Sequence, residues 1–321
     1  MRPGRCAPAS LVVVTNAGAS IRAVVAVGVA AALWGTIGLA QAVVPVDVPA
    51  FAIGAAGMGF GGVLLFLVAP RRAARVVADR RVRWWLLIGA LGVVAYPLAV
   101  YPAMRLTGVA IANVVALGSG PVFAAVIEWI VERRRPSLVW TIATVLAIVG
   151  IALLVSGGGD AGEGLVVPGV LLGLLGGLGY AVYAYASLRV IRVGHAPVPA
   201  MGAMFGLAAV VLVPVALVWG APLWTSWPAI GLIAYLAVGP LAIAYALFGI
   251  GVRTLSASTA TTVSLVEPAV ATLLAVLALH ERLSPLAWFG FALLIVAVVV
   301  VGLLDRRRPH PAERGRGTRL D

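Results

Sequence analysis

Charged residues are scarce in this chain. Asp, Glu, Lys and Arg make up 11% of its 321 residues, against about 25% in soluble domains. The hydrophobic fraction is 62% and the mean hydropathy is +1.10. These proportions exclude a water-soluble core surrounded by a polar shell. Because about 20 apolar residues cross a bilayer as one helix, the composition predicts an all-α integral membrane protein.

Cysteine and histidine are nearly absent as well. Cys6 is the single cysteine, which excludes an intramolecular disulfide and a cysteine-based metal or iron–sulfur site. His195, His280 and His310 fall in predicted loops or in the tail, so no histidine cluster is expected within the membrane. The glycines at 157–159 lack the Lys-Ser/Thr of a P-loop. We therefore expect no catalytic residues, no metal, no cofactor and no ATP hydrolysis.

Long apolar runs separated by charged or turn residues occupy most of the sequence. They predict ten membrane spans, at 22–44, 48–69, 84–103, 107–131, 137–156, 166–188, 198–219, 227–250, 255–279 and 285–304.

Lysine is absent, so all 23 basic residues are arginines. With an inner N-terminus and ten spans, every arginine except Arg105 and Arg282 falls on the inner side. This asymmetry matches the excess of positive charge in cytoplasmic connections. We therefore expect a bacterial cytoplasmic membrane protein with both termini in the cytoplasm, its arginines facing anionic inner-leaflet lipid. Arginines scattered over short loops, without an aromatic-rich binding module, do not indicate a nucleic-acid partner.

The segments around Pro121 and Pro268 share a layout. In each, small polar residues precede the proline, and an apolar run, a short charged turn and another apolar span follow. Two halves of five spans must have opposite orientations, because five is odd. The sequence thus predicts two inverted repeats, an organisation typical of secondary transporters. Its segments are a cytoplasmic leader 1–21, a first repeat 22–156, an external connection 157–165, a second repeat 166–304 and a basic cytoplasmic tail 305–321.

Several short motifs occur at characteristic places in the predicted spans: Trp34-Gly35 in the first span, the PVFAA of 121–125 in the fourth, Glu267-Pro268 in the ninth, and the ERLS of 281–284. Together they resemble the EamA family of the drug/metabolite transporter superfamily. The resemblance covers roughly residues 22–304 and includes the five-plus-five layout.

The resemblance implies a permease for small molecules, frequently an exporter of amino acids or other small metabolites that works by alternating access. An importer or facilitator of the same fold is the alternative within transport. A non-transporting membrane scaffold and an intramembrane enzyme are the alternatives from other classes. The sequence leaves the substrate, the coupling ion and the oligomeric state open.

Glu267 is the ionisable residue nearest the centre of a predicted span. Ser264 lies about one helical turn before it, on the same face. Pro268 withholds an N–H from the helix at this point. A carboxyl at such a break can take a coupling proton or hold a substrate ammonium, because charged groups inside a membrane need a partner. The alternative role is a hydrogen bond that fixes helix packing.

Five aromatic residues are predicted to lie deep in the membrane: Trp34, Tyr96, Tyr180, Tyr183 and Tyr245. By the family resemblance they fall on spans that line the central cavity. Rings with one polar atom suit a mostly apolar binding site, although lipid-facing and packing roles stay open. Asn113 in the fourth span is a candidate for a substrate contact or an interhelical hydrogen bond.

Overall fold

The computed structural model describes residues 10–43, 48–133, 163–252, 264, 266–280 and 283–305, together with scattered positions between 138 and 153. The described residues form helices joined by short connections. The α-helices are α1 (Ser10–Gly35), α2 (Ile37–Val43), α3 (Ala50–Val68), α4 (Pro70–Ala78), α5 (Arg83–Thr107), α6 (Val109–Glu132), α7 (Glu163–Arg192), α8 (Pro197–Trp219), α9 (Trp227–Leu236), α10 (Ala244–Val252), α11 (Val266–Ala278) and α12 (Pro285–Asp305). A 3-10 turn, Ala221–Trp224, precedes α9, and a π-helical segment, Ala237–Ile243, joins α9 to α10.

Seven helical segments of the described chain are long and apolar enough to cross a membrane. They are Arg22–Ala40, Ala50–Val68, Arg83–Thr107, Ile111–Glu132, Val166–Arg192, Pro197–Trp219 and Trp227–Gly251. These segments follow the first four and the sixth to eighth predicted spans. The predicted span 137–156 lies largely outside the described residues, α11 occupies the second half of the predicted span 255–279, and α12 follows the range of the tenth.

Helix directions within the bundle follow from the residues that meet. On α5 and α7, Thr107 lies against Gly169 while Gly89 lies against Ala186, so these two helices are antiparallel. On α6 and α7, Val115 lies against Gly173 while Glu132 contacts Arg192, so these two are parallel. Helices α6 and α7 therefore begin at the same end of the bundle. The opposite end, which carries α4 and the last turn of α7, is called the basic end below.

The first and eighth predicted spans are interrupted. Thr36 separates α1 from α2, and its Oγ1 donates to the Leu33 carbonyl at 2.7 Å. This local bond competes with the helical pattern. The π-helical segment contains Pro240, which has no backbone N–H to donate. Both interruptions depart from the continuous helices that hydropathy predicts.

Gly108 alone connects α5 to α6. Its φ is 85°, a backbone conformation that favours glycine. Its N–H donates to the Met104 carbonyl at 3.0 Å, and its own carbonyl accepts from the N–H of Ala112 at 3.1 Å. The same residue thus ends one helix and begins the next.

The structure also extends two predicted elements and adds a third. Helix α1 begins at Ser10, within the predicted leader 1–21, and α5 continues past Arg105 to Thr107. Helix α4 occupies a connection where no element is predicted. It is amphipathic: Ala73 and Val76 are buried, while Arg71, Arg72 and Arg75 are exposed.

Candidate functional site

A central cavity lies where the two interrupted spans meet α3, α5, α6, α7 and α11. Its volume is about 30 Å³. That space suffices for about two or three waters. The side chains therefore close tightly around the site in this conformation.

Seven of the eight site residues predicted from the sequence line this cavity. They are Trp34, Tyr96, Asn113, Tyr180, Tyr183, Tyr245 and Glu267. The eighth, Ser264, is not part of the lining. Its carbonyl accepts the N–H of Glu267 at 3.0 Å, so it adjoins the site through the backbone.

The aromatic side chains form a continuous group. Ring centroids lie 5.3 Å apart for Tyr180 and Tyr183, 6.4 Å apart for Tyr96 and each of these two, and 6.2 Å apart for Tyr183 and Tyr245. Trp34 continues the group at 4.9 Å from Tyr245. The Tyr183 and Tyr245 hydroxyls are hydrogen-bonded at 2.6 Å. Rings at these separations make favourable edge and tilted contacts.

Trp34 brings an unpaired donor to the cavity. Its side chain is only 5% exposed, and its Nε1–H has no hydrogen-bond partner within the described part of the chain. A buried donor without an acceptor is costly, which makes such a group uncommon. Trp224 also has an unpaired Nε1, but it packs against Phe60 at 5.4 Å and does not line the cavity.

Glu267 is buried, with 7% of its surface exposed, in the first turn of α11. Gly35 holds this turn close to α1. A Cβ at Gly35 would stand 2.8 Å from the Glu267 carbonyl oxygen and 2.7 Å from Val270 Cβ. The Trp-Gly pair of the first span thus has two distinct effects: Trp34 lines the cavity, and Gly35 lets α11 approach.

Asn113 and its neighbours on α5 complete the wall. Asn113 is buried, with 4% exposed. Tyr101, which the sequence reasoning missed, is buried beside the cavity as well. Val100 and Met104, also missed, follow Tyr96 at intervals of four residues along α5. Their spacing of four and eight residues from Tyr96, which places them on the same helix face, is the sequence signal that would have identified them.

Contacts at the basic end join the first half of the chain to the second. Glu132 Oε1 accepts from Arg192 at 2.9 Å and from the Tyr185 hydroxyl at 3.1 Å, with Arg189 3.7 Å away. The Arg189 guanidinium lies 4.9 Å above the ring of Trp85. These contacts link α6 and the start of α5 to the last turns of α7.

Asp79 makes a second link at the same end. Its Oδ2 lies 3.0 Å from His195 Nε2, and its Oδ1 accepts the Arg81 N–H at 2.9 Å. The Arg81 N–H and the His195 ring hold the pKa of Asp79 below its ordinary value. The carboxylate is therefore the favoured form in the folded protein.

No group of three or more His, Cys, Asp and Glu side chains suited to a metal ion occurs among the residues that the structure describes. The cavity instead combines one carboxyl, one amide, several phenols and an indole N–H with apolar walls. Such a set orients a small organic molecule through a few polar contacts.

Comparison with known proteins places the chain among transporters. The model of the EamA-like transporter family matches residues 21–156 and again residues 167–303. "Uncharacterized transporter YwfM" of Bacillus subtilis (strain 168) is 32% identical over 286 residues, which cover 87% of this chain and 93% of that protein. "Uncharacterized transporter sll1319" of Synechocystis sp. (strain ATCC 27184 / PCC 6803 / Kazusa) is 25% identical over 189 residues, covering 56% and 55% of the two chains.

A solved structure has the same fold. Entitled "Crystal structure of protein", it superimposes with a TM-score of 0.65 at 23% identity, covering 91% of this chain and 98% of the other. Taken with the apolar helices and the two matched segments, these similarities show that the chain is a multi-pass membrane transporter that belongs to the EamA-like transporter family of the drug/metabolite transporter superfamily.

Proposed function

We propose that the protein is a secondary transporter that exports small metabolites, amino acids or related solutes, by alternating access through the central cavity. The observation that carries the proposal is the meeting of interrupted helices at one site. The α1–α2 break, the π-helical segment and the first turn of α11 all adjoin the cavity. Broken helices at a midplane site between two repeats are the organisation expected of a secondary transporter.

The proposed topology is ten spans in two inverted five-span repeats, 22–156 and 166–304. Helices α6 and α7 are parallel, so the chain has to return across the bilayer between Glu132 and Glu163. A fifth span at 137–156 provides that return and leaves an odd number of spans in the first half. Two family matches of nearly equal length support a tandem repeat.

The proposed orientation places the basic end and both termini in the cytoplasm of the bacterial inner membrane. Exposed arginines of α4 then face anionic lipid headgroups. Reporter fusions test the arrangement. A fusion in 157–164 should report the outer side and one in 71–83 the inner side. Finding both on one side would overturn the inverted repeat.

Opening toward the basic end requires that the contacts between the two halves break. The Asp79–His195 and Glu132–Arg192 contacts join the two halves of the chain at this end. The central cavity between the two halves has room for only a few water molecules. We propose that these ion pairs close the cytoplasmic side of the carrier while the opposite side exchanges substrate. In alternating access, these ion pairs break to open the cytoplasmic side while the opposite side of the carrier closes.

Proteoliposomes provide the direct test of transport. Purified protein should exchange labelled small metabolites across a sealed bilayer in a counterflow assay, whereas a scaffold or an intramembrane enzyme leaves the solute gradient unchanged. In inverted vesicles, an inward-directed solute flux driven by an acidic interior supports export. Solute entry into right-side-out vesicles under the physiological gradient would instead support an importer.

Glu267 is the proposed site of proton coupling. It is buried at the cavity in the first turn of α11. Glu267→Gln should abolish transport driven by a pH gradient while counterflow at saturating substrate continues. Glu128→Gln is the matched control, because Glu128 is an exposed carboxyl outside the cavity lining. Unchanged proton-driven transport by the Glu267 variant would overturn this role.

A further inference from the structure

The charge of the cavity is one-sided. Glu267 is the single Asp, Glu, Arg or His among the described lining residues. The described arginines of α5 and α7 lie at the helix ends, and Arg105, Arg189 and Arg192 are not part of the lining. A substrate cation thus has a carboxyl to meet, whereas a substrate carboxylate has no cationic partner on this part of the wall.

The aromatic rings strengthen this preference. Tyr96, Tyr180, Tyr183, Tyr245 and Trp34 form one continuous group along the cavity, with neighbouring centroids 4.9–6.4 Å apart. The faces of tyrosine and tryptophan rings attract an ammonium group, and more strongly when water is excluded. The same faces provide an apolar surface for an aromatic or aliphatic substrate body.

Trp34 adds a directional contact. Its Nε1–H is buried and has no hydrogen-bond partner among the described residues, and Trp34 lines the cavity, so a substrate oxygen that accepts this hydrogen removes the cost of leaving the donor unpaired. A neutral hydroxyl or carbonyl oxygen is sufficient for this contact. This donor and the Glu267 carboxyl lie on different helices, α1 and α11.

From these three observations we propose that the substrate is a compact organic amine: a monocation with an apolar or aromatic body, a neutral oxygen acceptor and no carboxylate. The ammonium binds between Glu267 and the tyrosine faces, and the oxygen accepts from Trp34 Nε1–H. This inference rests on the proposed transport function and narrows its substrate class.

An amino acid with the same body is disfavoured because of its carboxylate. Burying a charge without an oppositely charged partner is strongly unfavourable. The neutral donors available to it on the described wall are the Trp34 N–H, the Asn113 amide and the tyrosine hydroxyls. The described part of the wall therefore favours amines over the amino acids that carry the same side chain.

A matched set of four probes tests the substrate class: tyramine, phenethylamine, tyrosine and phenylalanine. Each amine differs from its amino acid by the carboxylate alone. Binding to the full-length protein in nanodiscs, by isothermal titration calorimetry, should be at least about tenfold tighter for the amines. Labelled tyramine should also undergo counterflow in proteoliposomes. Equal or tighter binding of the amino acids, or no binding of either amine, overturns the inference.

The failure of this inference is distinguishable from failure of the proposed transport. If tyrosine exchanges across the bilayer and tyramine does not, the protein is a carrier and the substrate class is wrong. If no member of a broad metabolite set, including all four probes, undergoes counterflow, the proposed transport itself is wrong.

The Trp34 contact has its own test. Trp34→Phe keeps an aromatic ring and removes the N–H, so tyramine, whose hydroxyl oxygen accepts, should lose about five- to tenfold in affinity. Phenethylamine, which has no acceptor, should lose less affinity than tyramine, because the variant removes no hydrogen bond that it makes. Trp224→Phe is the control, because Trp224 has the same unpaired N–H away from the cavity. Equal losses for both amines would overturn the hydrogen bond.

The ammonium contact is tested with Glu267→Gln. Both amines should lose at least about tenfold in affinity, since the carboxylate that pairs with the ammonium is replaced by a neutral amide. The Glu128→Gln variant should bind them as the native protein does. Retained amine affinity in the Glu267 variant would overturn the assignment of the ammonium to this carboxyl.

Discussion

His195 Nε2 lies 3.0 Å from Asp79 Oδ2, and this contact joins the connection after α7 to the connection after α4. Asp79→Asn replaces the carboxylate by a neutral amide and weakens the link. We expect amide hydrogen exchange to increase several-fold at 79–81 and 193–196, because most residues of these two stretches are exposed. Exchange in the buried middle of α5 should stay unchanged. Equal protection in the variant and the native protein would contradict a closing role for this pair.

The same aspartate gives a pH prediction. Its pKa lies below the ordinary 3.8, because the Arg81 N–H and the His195 ring stabilise the carboxylate. Its contribution to stability is therefore present above the unfolded-state pKa and is lost as the pH falls through the lower folded-state value. An NMR titration of a labelled Asp79 carboxyl should show a midpoint below 3.8. In His195→Gln the midpoint should rise, while it stays below the ordinary value because the Arg81 bond remains.

Glu132 and Arg192 form the second link between the halves. Glu132→Gln keeps an acceptor for the Tyr185 hydroxyl but removes the charge that faces Arg192. Because Arg192 is more than half exposed, the loss in unfolding free energy should be about 0.2–1 kcal/mol. A double-mutant cycle with Arg192→Gln measures the coupling. Raising the salt concentration should reduce the coupling, and a coupling of zero at low salt would contradict a direct ion pair.

Gly35→Ala tests whether α1 and α11 have to pack closely at Gly35. In Gly35→Ala the new Cβ would overlap Val270 and the Glu267 carbonyl oxygen, so α11 has to move. We expect a loss of about 1–3 kcal/mol in unfolding free energy, together with weaker ligand binding. Gly231→Ala is the matched control on α9, where no heavy atom lies within 4 Å of the added carbon. It should be neutral or stabilising by up to about 1 kcal/mol.

The Tyr183–Tyr245 hydroxyl pair predicts a non-additive result. Either single change to Phe leaves one buried hydroxyl without its 2.6 Å partner, which costs about 1–3 kcal/mol. Changing both residues removes both polar groups. The double variant should therefore be more stable than the sum of the two single effects predicts. Unfolding in detergent measures the cycle, and additive effects would contradict direct pairing.

Hydropathy predicted the positions of the membrane helices because lipid imposes a minimum apolar length on every span. It also located Trp34, Tyr96 and Glu267, since polar or aromatic groups deep in an apolar run are conspicuous. The helix breaks at Thr36 and at the π-helical segment could not be predicted from hydropathy. Each depends on the hydrogen bonding of one or two residues, which hardly changes the mean hydropathy.

The pairings between distant residues were not predictable either. Glu132 meets Arg192 only because α6 and α7 are parallel neighbours, and Asp79 meets His195 only when two connections share one end. Helix α4 was missed for a different reason. Its three arginines lower the mean hydropathy of the segment, although Ala73 and Val76 give it one buried face.

Gly108 has a mechanical consequence for the cavity wall. Because Gly108 is the single residue between α5 and α6, the end of α5 and the start of α6 stay close together. A change in the angle between the two helices therefore pivots about Gly108. Met104 and Asn113 stand near the pivot, whereas Tyr96 is three turns away along α5. A small change of angle there displaces Tyr96 much more than Asn113. A larger angle between α5 and α6 therefore widens this wall of the cavity most at the end farthest from Gly108.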